Sequence, residues 1–245
     1  NTEAQDKLEN FFTLLSQPFL KVIHKLNENS VRGSKKNISR HYDLSNDFFS
    51  LFLDKNMMYS SAIYKTRKTS LEDAAINKLD VICKKLKLKK TDHIIEIGTG
   101  WGGFAIYAVK NYGCKVTTTT ISIEQYKFAK QKIKEAGLGR QINILLKDYR
   151  LLKGQYDKVV SIEMIEAVGY QFYDEYFKII SQLLKDDGDA LIQAITIKDQ
   201  RYSKAIHSVD FIQKYIFPGS CIPSITAIQN SLTNTTDLVI NDVRD

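Results

Sequence analysis

The sequence predicts an α/β fold built on a doubly wound, mostly parallel sheet, and three observations predict it. From residue 70 onward, short apolar and β-branched runs alternate with longer stretches of helical periodicity, the order that a parallel sheet with helical crossovers requires. One of these runs enters a glycine-rich turn that opens a helix, Ile94-Ile95-Glu96-Ile97-Gly98-Thr99-Gly100-Trp101-Gly102-Gly103-Phe104. The 245 residues are 43% apolar and 26% charged with 3 Pro and 12 Gly, which suits a globular chain with a sizeable core and excludes collagen-like and disordered readings.

Within residues 3–28, Leu8, Phe11, Phe12, Leu15, Phe19, Val22 and Leu26 recur at three- and four-residue spacing and paint one face of a helix or helix pair, with Pro18 opening its second part. That face is expected to dock on the chain's own core; a membrane-surface role, helped by Lys21 and Lys25, is the alternative. Residues 29–37 read as a polar linker, which sets residues 1–36 apart as an N-terminal helical segment and linker ahead of a main domain over 37–245. Ser70 with Asp73 forms a capping box that opens a helix through about residue 86. Strands are expected at 93–97, 115–121, 142–146, 158–162 and 190–197, and helices near 103–112, 123–136 and 171–185. Lysines 84, 85, 87, 89 and 90 fit a solvated helix end and loop.

Charge and cysteine usage bound the partners and the compartment. With 35 basic against 28 acidic residues the net charge is +7, which favours an anionic partner such as nucleic acid, an acidic bilayer face or an anionic ligand. The basic residues are dispersed and no nucleic-acid motif occurs, so nucleic acid fits poorly. No stretch approaches the length of a membrane-spanning helix, and residues 1–30 carry charges throughout, unlike a signal peptide, so a cytoplasmic protein is expected. Cys83, Cys114 and Cys221 are odd in number and widely spaced, which argues against a disulfide framework or a zinc site. A first residue of Asn1 rather than Met points to an excised fragment.

Gly98, Gly100 and Gly103 satisfy the literal dinucleotide spacing, in which glycines allow positive φ and a helix N-terminus attracts an anionic group. A nicotinamide site would also need an acid at the end of the second strand to hold the ribose hydroxyls, and that strand ends instead in Thr117-Thr118-Thr119-Thr120-Ile121-Ser122. The acid at the end of the first strand, Glu96, fits S-adenosylmethionine, whose ammonium and carboxylate must be held near the turn while the adenosine crosses the next strands. The expected fold is therefore Rossmann-like and its expected chemistry methyl transfer. Asp148, at the end of the third strand, is placed to accept from an adenine amino group, and Tyr149 offers a stacking face.

Seven ordered blocks carry a resemblance: residues 37–49 with His41-Tyr42-Asp43, Met58-Tyr59-Ser60-Ser61-Ala62, Glu96 to Gly103, Thr120-Ile121-Ser122-Ile123-Glu124-Gln125, Asp148-Tyr149-Arg150, Ser161-Ile162-Glu163-Met164-Ile165-Glu166-Ala167-Val168-Gly169, and residues 215–224 with Phe217-Pro218-Gly219. Over residues 37–245 the chain resembles the cyclopropane-fatty-acid synthase and mycolic-acid cyclopropane synthase family of class I S-adenosylmethionine-dependent methyltransferases. The resemblance implies methyl transfer from the sulfonium to a cis double bond of an unsaturated phospholipid at the membrane surface, followed by proton loss and ring closure, by a cytoplasmic, peripherally membrane-associated enzyme. It implies a cofactor and substrate lid over 37–69. It also implies cofactor contacts from Tyr59 and Ser60, from Gly98 and Gly100 around the methionine part, from Thr120, Ile121 and Gln125, and from Asp148 and Tyr149 at the adenine.

Glu166 matches the acid that the family uses to hold a bicarbonate ion, the proton acceptor, and the catalytic set implied here is Glu166, Gln193 and Ser61. Ser61 stands where many members have Cys, while Ala167 and Gln193 stand where many have His. Glu163 is expected to be structural, His41 a local hydrogen-bonding residue, and Tyr42 or Phe217 a source of cation–π stabilisation for a developing positive charge. The chain stops before the family's last helix and strand, so its sheet is expected to lack the last strand and its cofactor binding to be weak. Two other functions fit the same residues: methylation of a small soluble acceptor, with Glu163 or Glu166 deprotonating a heteroatom, and non-catalytic binding of cofactor or lipid.

Overall fold

The computed structural model describes residues 29–31, 33–34 and 45–244. The amphipathic reading of 3–28 and the readings of His41 and Tyr42 lie outside these residues. A short helix, α1 (Asn46–Ser50), precedes α2 (Leu71–Lys85), β1 (His93–Ile97), α3 (Gly103–Tyr112), β2 (Lys115–Thr120), α4 (Ile123–Glu135), β3 (Ile142–Leu146), β4 (Tyr156–Ile162), α5 (Tyr173–Leu183), β5 (Leu184–Gln193), α6 (Asp199–Ala205) and α7 (Ile225–Thr235). The expected capping box forms: Ser70 Oγ accepts from the Asp73 N–H at 3.1 Å and donates to its carboxylate at 2.7 Å.

Among the described residues the sheet has five strands in the order β3-β2-β1-β4-β5, every neighbouring pair parallel. Strand side chains alternate between faces, and the core divides accordingly. Ile95, Ile97 and Val159 pack with Tyr176, Phe177 and Ile180 of α5 on one side. Ile94, Val116 and Val160 pack with Phe104 and Val109 of α3 and with Leu79 and Ile82 of α2 on the other. Two layers of helix over a parallel sheet, as the alternating pattern requires, make the doubly wound α/β architecture.

The main departures from expectation lie at β5 and at residues 29–34. β5 starts at Leu184, ahead of the expected 190, and ends at Gln193. Its acidic first half escaped notice because it is polar, yet β5 is the outer strand of the sheet among the described residues, where charged side chains are tolerated. Here the Lys185 ammonium donates to Asp157 at 2.6 Å and Lys158 pairs with Asp189 across the two strands. Past Gln193 the chain leaves the sheet, and the Ile197 N–H bonds the Pro223 carbonyl at 2.9 Å. Finally, Asn29 and Ser34, read as part of a polar linker, are buried at 5% and 7% exposure against the main domain. No helix among the described residues is long and apolar enough to cross a membrane.

Candidate active site

A cavity of 510 Å³ opens at the carboxyl ends of β1 to β4. The strand order reverses between β1 and β4, and a doubly wound sheet leaves its crevice at such a switch point. Gly98, Gly100 and Gly102 hold φ of +97°, +51° and +90°, values that a side chain disfavours, and this backbone curls the turn around the cavity. The Gly98 and Thr99 N–H groups both donate to the Thr119 carbonyl, at 3.0 and 2.9 Å, which ties the turn to β2.

The segment 54–61 forms the opposite wall. Asp54 organises it, accepting from the Met58 N–H at 2.8 Å and from the Asn56 amide nitrogen and side chain at 3.1 and 2.9 Å. The segment lies so close on the start of α3 that a Cβ on Gly103 would stand 2.6 Å from Met58 Sδ. Phe49, Tyr59 and Trp101 stack beside it, Phe49 lying 4.9 Å from Trp101 and 5.5 Å from Tyr59 between ring centroids. Beneath Ser60 lies the fully buried Lys78.

All ten residues expected to touch a cofactor line this one cavity: Tyr59, Ser60, Glu96, Gly98, Gly100, Thr120, Ile121, Gln125, Asp148 and Tyr149. Glu96 is 2% exposed and accepts from Thr118 Oγ1 at 2.6 Å, and burial pushes its carboxyl up to about 8. Thr120 Oγ1 donates to Gln125 Oε1 at 2.9 Å. Asp148 is engaged more than the sequence reading allowed. The Arg150 guanidinium grips both its oxygens, at 2.9 and 2.7 Å, and also reaches the Asn29 carbonyl at 2.9 Å and Ser34 Oγ at 3.1 Å. The Arg150 backbone N–H at 3.0 Å and the Ser34 hydroxyl at 3.4 Å also donate to Asp148, so a ligand's amino group would reach this carboxylate by sharing or displacing the long Ser34 contact. The Tyr149 ring meets Tyr176 edge-on at 5.7 Å, and its buried hydroxyl has no hydrogen-bond partner among the described residues.

The catalytic grouping is rearranged. Glu166 and Glu163 both line the cavity, whereas Ser61 and Gln193 stand behind it and bond Glu163 rather than Glu166. Glu163 Oε1 accepts from the Ser61 N–H at 2.9 Å, the Ser61 hydroxyl at 2.8 Å and Gln193 Nε2 at 2.9 Å. The Glu163 N–H donates to the Gln193 carbonyl at 2.8 Å. Glu163 holds φ at +47°, a conformation that costs a non-glycine residue about 1–3 kcal/mol and persists only where its surroundings fix it. Glu166 Oε1 accepts from the Ile195 N–H, while Oε2 is buried with no hydrogen-bond partner among the described residues. Burial, with the Glu163 charge adding to it against two backbone hydrogen bonds, pushes the Glu166 carboxyl up to about 7.

A bicarbonate ion does not fit this donor set. The donors that Ser61 and Gln193 would offer it converge on the Glu163 carboxylate, and a further anion would sit beside two acidic side chains. What Glu163 shares with these partners could have been suspected from two acids three apart just past a strand; its left-handed backbone left no trace in the sequence. The remaining wall is apolar, with Met164, Val168, Ile195, Ile212, Phe217 and Ile222 around the carboxylates.

Comparison with known proteins gives concordant results. A family model described as mycolic acid cyclopropane synthetase matches residues 29–245, which takes in Asn29 and Ser34. The tuberculostearic acid methyltransferase UfaA1 of Mycobacterium tuberculosis is 42% identical over 216 residues, covering 85% of this chain and 50% of the relative. The cyclopropane-fatty-acyl-phospholipid synthase of Escherichia coli is 44% identical over 192 residues, covering 78% and 48%. The solved structure of mycolic acid cyclopropane synthase CmaA1 complexed with SAH and CTAB superposes with a TM-score of 0.78 at 30% identity, over 86% of this chain and 76% of that one. The chain thus spans about half the length of the curated relatives it matches.

Proposed function

The chain belongs to the mycolic acid cyclopropane synthetase family, and from that membership and the geometry of the cavity we propose that it is an S-adenosylmethionine-dependent C-methyltransferase acting on a cis double bond of a phospholipid acyl chain. One observation carries the reading: the glycine turn and the two carboxylates of Glu163 and Glu166 open into the same apolar-walled cavity. When bound, S-adenosylmethionine supplies an electrophilic methyl group on a sulfonium. The turn at 98–103, Glu96 and the 57–60 segment hold its methionine part, and Thr120, Gln125, Asp148 and Tyr149 its nucleoside.

The substrate side follows from the chemistry. Methylating an alkene leaves a positive charge on an unactivated chain, so the site must exclude water, tolerate cationic character and remove one proton. The apolar wall meets the first need and receives the chain, and Phe217 offers an aromatic face to the charge. The two acidic side chains meet the others. No step in this reading passes through bicarbonate. Phe48, Leu51 and Phe52 by α1, with Phe211 and Tyr215 ahead of Phe217, are exposed, Leu51 at 82% and Phe211 at 67%, and the net charge is +7. Exposed apolar side chains on a basic protein suit a peripheral enzyme that meets anionic lipid on a cytoplasmic membrane face.

Incubation of the protein with methyl-labelled S-adenosylmethionine and vesicles tests the proposal. Label should enter monounsaturated but not saturated phospholipid, with a mass gain of one CH₂. Label that enters only water-soluble acceptors, or none at all beside measurable cofactor binding, would overturn it. The relatives differ in product by name, a tuberculostearic acid methyltransferase and a cyclopropane synthase, so the mass and hydrogen count of the labelled lipid also identify ring or branch.

A further inference from the structure

The donors at the end of β5 and in the 54–61 segment point at a group that the chain itself provides. Ser61 contributes its N–H and its hydroxyl, and Gln193 its amide, all to one oxygen of Glu163 within 2.8–2.9 Å. That oxygen is thereby fixed, while Glu163 Oε2 has no hydrogen bond to a described residue and the side chain lines the cavity. The backbone strain at φ +47° has the same sense, since a glycine would adopt it freely and a glutamate is kept there by the three donors. A nearby cation balances the charge: buried Lys78 interacts electrostatically with Glu163.

We propose that the Glu163 carboxylate is the proton acceptor of the reaction, a built-in replacement for the bicarbonate that the donor set would otherwise hold. This rests on the methyltransferase reading above. In the step, the alkene π pair forms the new carbon–carbon bond to the methyl group and the sulfur–carbon bond breaks, its pair staying on sulfur. Glu163 then takes a proton, either from the newly added methyl group, whose released C–H pair bonds the cationic carbon and closes the ring, or from a carbon next to the cationic centre, whose pair forms a new double bond. Glu166 stands beside it as the second acidic group of the same wall, its Oε2 without a hydrogen-bond partner among the described residues.

Three proteins test this: the unaltered chain, Glu163→Gln and Glu163→Gly. Glutamine keeps the volume and can still offer an oxygen to Ser61 and Gln193, while glycine suits the positive φ and vacates the place of the carboxylate. Circular dichroism melts check that both variants fold. In buffer stripped of carbon dioxide, the unaltered chain should turn over within twofold of its rate with added bicarbonate. E163Q should lose at least ~100-fold in kcat, the scale of general base catalysis, with S-adenosylmethionine affinity by calorimetry changed less than fivefold. E163G should lose as much and regain activity saturably with added bicarbonate or formate.

A second readout needs no turnover: ¹³C-bicarbonate line broadening should report binding to E163G and none to the unaltered chain. Bicarbonate dependence of the unaltered chain, bicarbonate binding to it, or full turnover by E163Q would each overturn the proposal. Failure of the functional reading looks different: the unaltered chain would bind cofactor yet label no lipid, and the bicarbonate binding comparison would still decide the role of Glu163.

Discussion

The ammonium of Lys78 donates to both oxygens of Ser60, the carbonyl at 3.4 Å and the hydroxyl more closely, from the middle of an otherwise apolar helix face. Its neighbours on α2, Ala74, Ala75, Leu79 and Ile82, are all buried, and Lys78 itself is 0% exposed. A buried ammonium with hydrogen-bonded partners is expensive to place and holds what it touches. Burial lowers Lys78 to about 8, against the pull of Glu163 and Asp54. Lys78 is thus a positioning residue for the 57–60 wall of the cavity.

Lys78→Met should therefore keep the helix packed and release Ser60. We expect S-adenosylmethionine affinity, read by calorimetry, to fall at least tenfold while the far-ultraviolet spectrum is unchanged. Lys78→Arg should not rescue it, because a planar guanidinium needs more room than this pocket gives. Equal affinity of K78M and the unaltered chain would remove Lys78 from the site's support.

Glu96 sets a proton linkage. With its carboxyl raised to about 8 by burial, Glu96 is mostly protonated at pH 7 in the ligand-free protein, and a cationic ligand against it favours the charged form. Cofactor binding at pH 7 should then release protons, seen as a dependence of the calorimetric enthalpy on the ionisation enthalpy of the buffer. Affinity should rise as pH passes from 6 to 8, and Glu96→Gln should abolish both effects.

The same shifts give a stability profile of definite sign. Glu96 and Glu166 have folded values near 8 and 7 above their ordinary 4.5, so between these limits the folded chain keeps protons that the unfolded chain has lost. Their contribution is full below about pH 4.5 and lost as pH rises through 7 and 8, with a slope of at most ~1.4 kcal/mol per pH unit for each group. Denaturant melts at pH 5 and pH 8 should show the fall, and the double variant E96Q/E166Q should flatten it.

The sheet was readable because β1 and β2 are buried strands with β-branched residues, bounded by the glycine turn, and the cofactor contacts were readable because they sit at strand ends. What escaped was set by tertiary placement. The acidic half of β5 pairs with β4 through partners that its own polarity does not announce, Lys158 meeting Asp189 and Lys185 meeting Asp157. Asn29 and Ser34 looked like linker because the groups that hold them, Arg150 and Asp148 and, for Asn29, the Ala167 carbonyl, lie more than a hundred residues away. Lys78 carried a signal, a lysine in register with Ala74, Ala75 and Ile82, whereas the transfer of Ser61 and Gln193 from Glu166 to Glu163 depends on a backbone angle that residue type opposes.

Gly103 marks a steric limit on the site. Its missing Cβ leaves room for Met58 Sδ and for the Asn56 carbonyl, which a Cβ would meet at 2.6 and 3.1 Å. Gly103→Ala should push the 54–61 segment off the start of α3, lowering cofactor affinity while costing about 1–3 kcal/mol in stability, the range for overpacking. Adding Met58→Ala should recover the stability, since it removes the flexible sulfur, although the backbone carbonyl of Asn56 stays. A double-variant cycle by thermal melting checks the coupling; strict additivity would show that Met58 and residue 103 do not meet.

Arg150 gives the last prediction, because one guanidinium joins the nucleoside end of the cavity to residues 29–34. Its side chain is 6% exposed and serves Asp148, the Asn29 carbonyl and Ser34 Oγ together. Arg150→Met would leave the Asp148 charge buried at 7% exposure without its partner, a change that typically costs about 3–5 kcal/mol. For a chain of this size the melting temperature should fall by roughly 6–20 °C. Asp148→Asn with Arg150→Met should recover part of that fall, since no buried charge then lacks a partner. The two effects can be separated by protease sensitivity around residues 29–34: it should rise in both variants, because the guanidinium that pins Asn29 is gone in each. Sensitivity unchanged from that of the unaltered chain would mean that Arg150 anchors Asp148 alone.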